Sequence, residues 1–222
     1  QDTLVGDFQQ FGAPHIQLEF ANAISLLEAL LEEGDGLDFP LRTLGQSSCR
    51  AYGPAGTLDY ASLVPLYYLK EAGVHTPVLA LGMGLMPPEE LYQFGKILQK
   101  AVVKAGLKAV VIASGDLSHR LTHDAPGGYS PKGRLFDLKL WHLLAKGDVE
   151  GLLSMEGDLV EDAGECGYRP LIMLLGCFSK KTLRVVPLSY EGPYGVGYGV
   201  AILFSTDQDI PERLEAEVGL AM

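Results

Sequence analysis

Apolar residues along the chain recur at helical spacing in several stretches and form short unbroken runs between them. In "FANAISLLEALLEEGDG" the spacing puts Ile24, Leu27, Leu30 and Leu31 on one face, and Gly34 is placed to stop the helix. "LDYASLVPLYYLKEAG" predicts a second helix, with Asp59 as N-cap, Pro65 near its start or at a kink and Gly73 at its end. "PPEELYQFGKILQKAVVKAG" predicts an amphipathic helix opened by prolines and acids and closed by Gly106. Further helices are expected in "RLFDLKLWHLLAKGD", in the short "DVEGLLSM", and buried within "GECGYRPLIMLLGCFS". The unbroken runs "PVLALGMG" and "KAVVIAS" predict buried strands, and "LRVVPLSY" and "GVGYGVAILFS" two more across a glycine-rich turn. Residues 41–58 and "HDAPGGYSPKG" read as loops.

Strands that alternate with helices of crossover length imply an α/β fold, a mostly parallel sheet flanked by helices. One domain is expected over residues 1–206, followed by an acidic tail or linker over 207–222. In such folds ligands sit beyond the C-terminal ends of the strands. "SGDLSH", "GMGLMPP" and "SYEGPYG" fall at such ends.

Charge narrows the partners. The 222 residues carry 17 Lys and Arg against 28 Asp and Glu, a net charge of −11. That argues against a nucleic-acid groove and against an anionic membrane surface. No apolar run reaches the ~18 residues that a membrane span needs. Three cysteines, Cys49, Cys166 and Cys177, give neither a disulfide framework nor a paired zinc motif, so a reducing, cytoplasmic setting is expected. Walker-type, HExxH, GxSxG and dinucleotide-binding signatures are absent.

The chemistry-bearing residues cluster after the runs. Asp116 and His119 follow "VVIAS" three positions apart. A carboxylate beside an imidazole can fix its tautomer for acid/base work, and the plain alternative is a capped turn with a polar loop residue. Glu165 and Cys166 enter a buried helix, where either could bind a metal or could simply cap and pack. Arg120 and Arg169 could recognise a carboxylate. His123 lies in the polar loop after His119, His142 lies in a helix, and His15 and His75 stand alone. Glycines 192, 195, 197 and 199 around Tyr194 and Tyr198 fit a tightly packed turn and strand, or a close ligand approach.

Taken together, "GDFQQFGAP", "LVPLYYL", "ASGDLSHRL", "APGGYSPKG", "AGECGYRPLIMLLG" and "LSYEGPYGVGYGVA" resemble the class III extradiol dioxygenase (LigB-like) superfamily. Within it the order of motifs resembles the Memo-like branch of AmmeMemoRadiSam systems, whose members are often fused to an AMMECR1 domain. The resemblance implies a non-haem Fe(II), or another divalent metal, held by two histidines and one later residue. It implies a catechol-like substrate opened with O2, and a separate acid/base His. Carried over position by position, His119 with Asp116 becomes the acid/base pair. Cys166 or Glu165 becomes the last ligand, Cys166 matching the Memo-like pattern and Glu165 the ring-cleaving enzymes. Tyr60 becomes a substrate-facing candidate, standing where relatives carry a His in "LDHG", and Arg169 and His123, read from the chain's own pattern, are substrate-facing candidates beside it.

The family's two histidine ligands lie ahead of the segment that resembles "GDFQQFGAP", so an N-terminally incomplete domain is expected. Two readings follow from the resemblance. One is a metal-dependent oxidoreductase on a small substrate. The other is a non-catalytic accessory domain, possessing no metal, that binds an AMMECR1-type or radical-SAM partner. A homo-oligomer is compatible with either.

Overall fold

A computed structural model describes residues 2–43, 56–179 and 181–205. Cys49, most of the expected 41–58 loop and the 207–222 tail lie outside the described residues. The chain divides into two compact units. The first comprises Gln1–Gly84 with Ile97–Ser114, and the second Leu85–Lys96 with Gly115–Met222.

The first unit opens with an antiparallel hairpin of β1 (Thr3–Phe8) and β2 (Ala13–Ala21). Gly12, at φ 78°, ends the single 3-10 turn between them, a backbone region that favours glycine. Leu4, Leu18 and Phe20 face inward and pack on Leu58, Leu63 and Leu66. The alternation in "IQLEFA" is the sequence signal for this strand. Helix α1 (Ile24–Asp35) follows, and its buried face is Leu26, Ala29, Leu30 and Gly34. The expected stripe of Ile24, Leu27 and Leu31 is only half-buried. Helix α2 (Tyr60–Glu71) starts at Asp59, whose carboxylate accepts the Ser62 N–H at 2.9 Å, and it carries Pro65 inside.

Helix α3 (Pro88–Lys104) begins with Glu89 and Glu90 and ends with Lys104, as its dipole favours. Its first half belongs to the second unit and the rest to the first.

The second unit is built on helices α4 (Pro131–Ala145), α5 (Val149–Leu153), α6 (Gly157–Ala163) and α7 (Tyr168–Gly176). Helix α4 starts three residues before the expected Arg134, because Ser130 caps it by accepting the Lys132 N–H and Pro131 suits the first turn. Phe136, Leu140, Leu144, Leu152, Ile172 and Leu175 form the core. Strands β3 (Leu183–Glu191) and β4 (Tyr198–Ser205) form a second antiparallel hairpin across the glycine-rich turn.

The fold is α/β, with helices and small sheets. Among the described residues, both ladders are antiparallel, and parallel pairing is limited to the isolated bridges Val5–Thr57 and Asn22–Val78. The runs 77–84 and 108–114, expected as buried strands, form no ladder beyond that single bridge at Val78. Val110 is 90% exposed and Leu81 is exposed as well. An apolar run becomes a strand only when a neighbour takes its backbone groups in succession, and among the described residues that happens here at Val78 alone.

Candidate active site

The segment Gly115–Arg120 is a polar strap rather than a helix start, and hydrogen bonds hold it at nearly every step. The Asp116 carbonyl accepts the N–H groups of Cys166 and Gly167, at 3.1 and 2.8 Å. In return the Asp116 N–H donates to Cys166 Sγ at 3.1 Å. Leu117 N–H donates to the Gly197 carbonyl, and Gly197 N–H donates to the Ser118 carbonyl. Ser118 is fully buried, and its hydroxyl donates to the Ala163 carbonyl and accepts the Arg120 N–H.

Two glycines make this crossing possible. A Cβ on Gly115 would lie 2.6 Å from the Cys166 carbonyl oxygen, and one on Gly167 would lie 2.9 Å from the carbonyls of Gly115 and Asp116. The strap and the entrance to α7 therefore touch backbone to backbone. This is the physical sense of glycine in both "SGDLSH" and "ECGY".

The crossing brings three side chains together. His119 Nε2 lies 3.2 Å from Asp116 Oδ2 and 3.8 Å from Cys166 Sγ. One ligand atom from each of Asp116, His119 and Cys166 falls within 4.8 Å of the other two, and all three residues are half-buried. Desolvation pushes the Cys166 thiol above its usual range, despite the Asp116 N–H it accepts. A neutral thiol is thus favoured until a cation arrives to stabilise the thiolate. An imidazole nitrogen, a carboxylate oxygen and a thiol sulfur in this arrangement fit a divalent transition metal better than calcium or magnesium, which prefer all-oxygen sets.

Glu165 is turned to another task. Its carboxylate accepts the Tyr168 N–H at 2.6 Å and so caps α7. Burial raises its pKa, and that bond together with nearby Arg169 opposes the rise. Tyr168 spans to the Leu152 carbonyl through its hydroxyl, and burial pushes its pKa up to about 12.

The remaining sequence candidates are not members of the three-residue group. His123 is exposed, and its ring meets that of Tyr129 at a tilt of 41°, with centroids 4.7 Å apart. Arg169 is half-buried beside Glu165. Arg120 donates to the Asp162 carbonyl at 3.1 Å. Tyr60 belongs to the first unit, at the start of α2, with its ring 5.7 Å from that of Phe11. A groove of about 980 Å³ in the first unit is lined by residues such as Asp7, Gln17, Glu19 and Lys70, and by none of the sequence candidates.

Sequence reasoning did not single out Asp137. It is fully buried on α4 and accepts the Ser118 N–H at 2.8 Å and the Tyr190 hydroxyl at 2.7 Å. The signal in the chain was an acid on the apolar face of "GRLFDLKL", between Gly133 and Leu140.

A family model described as the catalytic LigB subunit of aromatic ring-opening dioxygenase matches residues 2–201. The chain belongs to this LigB family. Protein CA_C1420 of Clostridium acetobutylicum is 37% identical over 217 residues, which cover 98% of this chain and 46% of that relative. The chain therefore spans about half the length of the curated relative it matches. Among the described residues no helix is long and apolar enough to cross a membrane.

Proposed function

We propose that this LigB-family chain is a metal-dependent oxidoreductase that opens a catechol-like ring, with Asp116, His119 and Cys166 at its centre. The observation that carries the reading is the convergence of their three ligand atoms within 4.8 Å. Membership of a family described by aromatic ring opening supports the reaction class. Within the family we favour the Memo-like branch, supported by a cysteine at the converging position while its neighbour Glu165 caps α7. An AMMECR1-type or radical-SAM partner belongs to the same proposal.

A divalent metal, Fe(II) in the family's usual chemistry, would be held by Cys166, and the Asp116–His119 pair would stand beside it as the acid/base. When bound it would polarise the substrate's oxygens and bring O2 within reach of the ring. The chain's own residues handle the proton. His119 accepts the proton that a catechol hydroxyl must lose, because imidazole titrates near neutrality. Asp116, 3.2 Å from His119 Nε2, stabilises the imidazolium so formed. The strap's hydrogen bonds hold both groups in place, so little reorganisation is needed at the moment of transfer.

The test is anaerobic Fe(II) loading, followed by metal analysis and oxygen uptake with catechols. About one metal per chain and catechol-dependent uptake are expected. His119→Ala should keep the metal and lose about 10²–10⁴-fold in turnover. Cys166→Ser should lose the metal and Glu165→Gln should keep it. A protein that takes up no metal, or a His119→Ala variant as active as wild type, would overturn the reading.

A further inference from the structure

One buried ionisable group is left unused by the proton transfer above. Asp137 has no exposed surface, and no cation contacts its carboxylate among the described residues. Its two partners come from different elements. Oδ1 takes the backbone N–H of Ser118, next to His119, and Oδ2 takes the hydroxyl of Tyr190 on β3. Trp141, on the same helix as Asp137, packs its ring 6.1 Å from that of Tyr190. Gly197 leaves the space that Oδ2 fills, since a Cβ there would collide with it. The same Gly197 holds the strap from its other side, through the Leu117 N–H and the Ser118 carbonyl.

A leucine at this position would extend the apolar stripe of Phe136, Leu140 and Leu144, and buried ionisable groups are often replaceable in that way without loss of stability. What a leucine could not do is fix the direction of the Ser118 N–H, and with it the peptide plane that leads into His119. An oriented backbone amide one residue from a reacting side chain sets where that side chain points.

We propose that Asp137 is the positioning residue of the site: by gripping the Ser118 amide against Tyr190, it aims the His119 imidazole at Asp116 and Cys166. The proposal rests on the reading of those three residues as the working centre. Ser118 is the intermediary, and Tyr190 holds the carboxylate in its rotamer. Asp137 touches neither metal nor substrate.

The test compares wild type with Asp137→Asn and Tyr190→Phe in two readouts. The first is the ¹H–¹⁵N spectrum of the His119 imidazole in the metal-free protein. The second is Co(II) titration, followed by the thiolate-to-metal absorption band. In folded Asp137→Asn the His119 signals should move, and the band should change in intensity because the imidazole beside Cys166 Sγ has moved. Tyr190→Phe should shift both readouts in the same direction by less. A merely structural role would lower the melting temperature and leave the His119 signals and the Co(II) band of the folded protein unchanged, and that result would overturn the proposal. If wild type takes up no Co(II), the metal reading fails, and the imidazole signals still decide the role of Asp137. If Asp137→Asn does not fold, unchanged imidazole signals in Tyr190→Phe would overturn the proposal and shifted ones would support it.

Discussion

Residues 107–112 and 116–121 are near neighbours in sequence and opposites in structure. The first stretch, "LKAVVI", is rich in strand-forming residues, yet Val110 is 90% exposed, and the stretch joins no ladder among the described residues. The second, "DLSHRL", is polar and irregular, yet it is pinned to α4, α6, the entrance of α7 and the β3–β4 turn. Hydrophobicity alone therefore did not decide which stretch is held. What decided it was whether each backbone group found a partner. The strap meets its partners through side chains of Asp137, Ser118 and Cys166 and through glycines that admit backbone contact.

The sharpest way to break the contrast is to deny the strap its close crossing. Gly167→Val would put a branched Cβ 2.9 Å from the carbonyl oxygens of Gly115 and Asp116, which cannot swing aside as a flexible side chain could. A loss of about 3 kcal/mol or more is expected in urea unfolding, the upper end of what overpacking costs. Gly157→Ala, with open space around the added methyl, is the control. Equal midpoints for the two variants would mean that the crossing is looser than described.

The next effect is electrostatic and depends on pH. Desolvation raises the Asp137 carboxyl above its ordinary value of 3.8, against the opposing bonds from Tyr190 and Ser118. The native state thus holds this proton more tightly than the unfolded chain. Its contribution is complete below 3.8 and is lost as pH rises through the raised native value. Wild type should therefore lose stability relative to Asp137→Asn across that window, by about 1.4 kcal/mol for every tenfold by which the native carboxylate outbinds the unfolded one for its proton. Urea melts of both proteins at a series of pH values measure the difference. A difference that stays flat with pH would show that the carboxyl is not perturbed.

Much of this was legible in the chain. Periodicity and end signals located α1 to α4 and α7, because capping and apolar stripes are local and repeat at a fixed spacing. The β3–β4 pair was readable from two apolar runs across a glycine-rich turn. Asp116 and His119 stood out by spacing and by their place after an apolar run. Which of Glu165 and Cys166 comes near His119 was not readable, since adjacent residues at a helix entrance point in different directions and only the three-dimensional path brings Cys166 to it. Asp137 was hidden for a related reason. Its partners, Ser118 and Tyr190, lie 19 and 53 positions away in sequence. The runs at 77–84 and 108–114 mark the opposite case, where local composition is strong and a strand still needs a neighbour that the run itself does not supply.

The smallest expected effect tests the other side of the contrast. Val110→Lys places a charge in the middle of the most apolar run of the segment. If the side chain stands in water, as its 90% exposure states, nothing is desolvated and no packing is lost. The change in unfolding free energy should then stay within about 0.5 kcal/mol, the range of surface substitutions. Lysine at this point would also make the run a poorer template for edge pairing, so a fall in concentration-dependent association should accompany the unchanged stability. Urea melts and light scattering over a concentration series check both. A loss well above about 1 kcal/mol would mean that Val110 is covered in solution. The contrast would then be between two held segments, one by polar bonds and one by apolar contact.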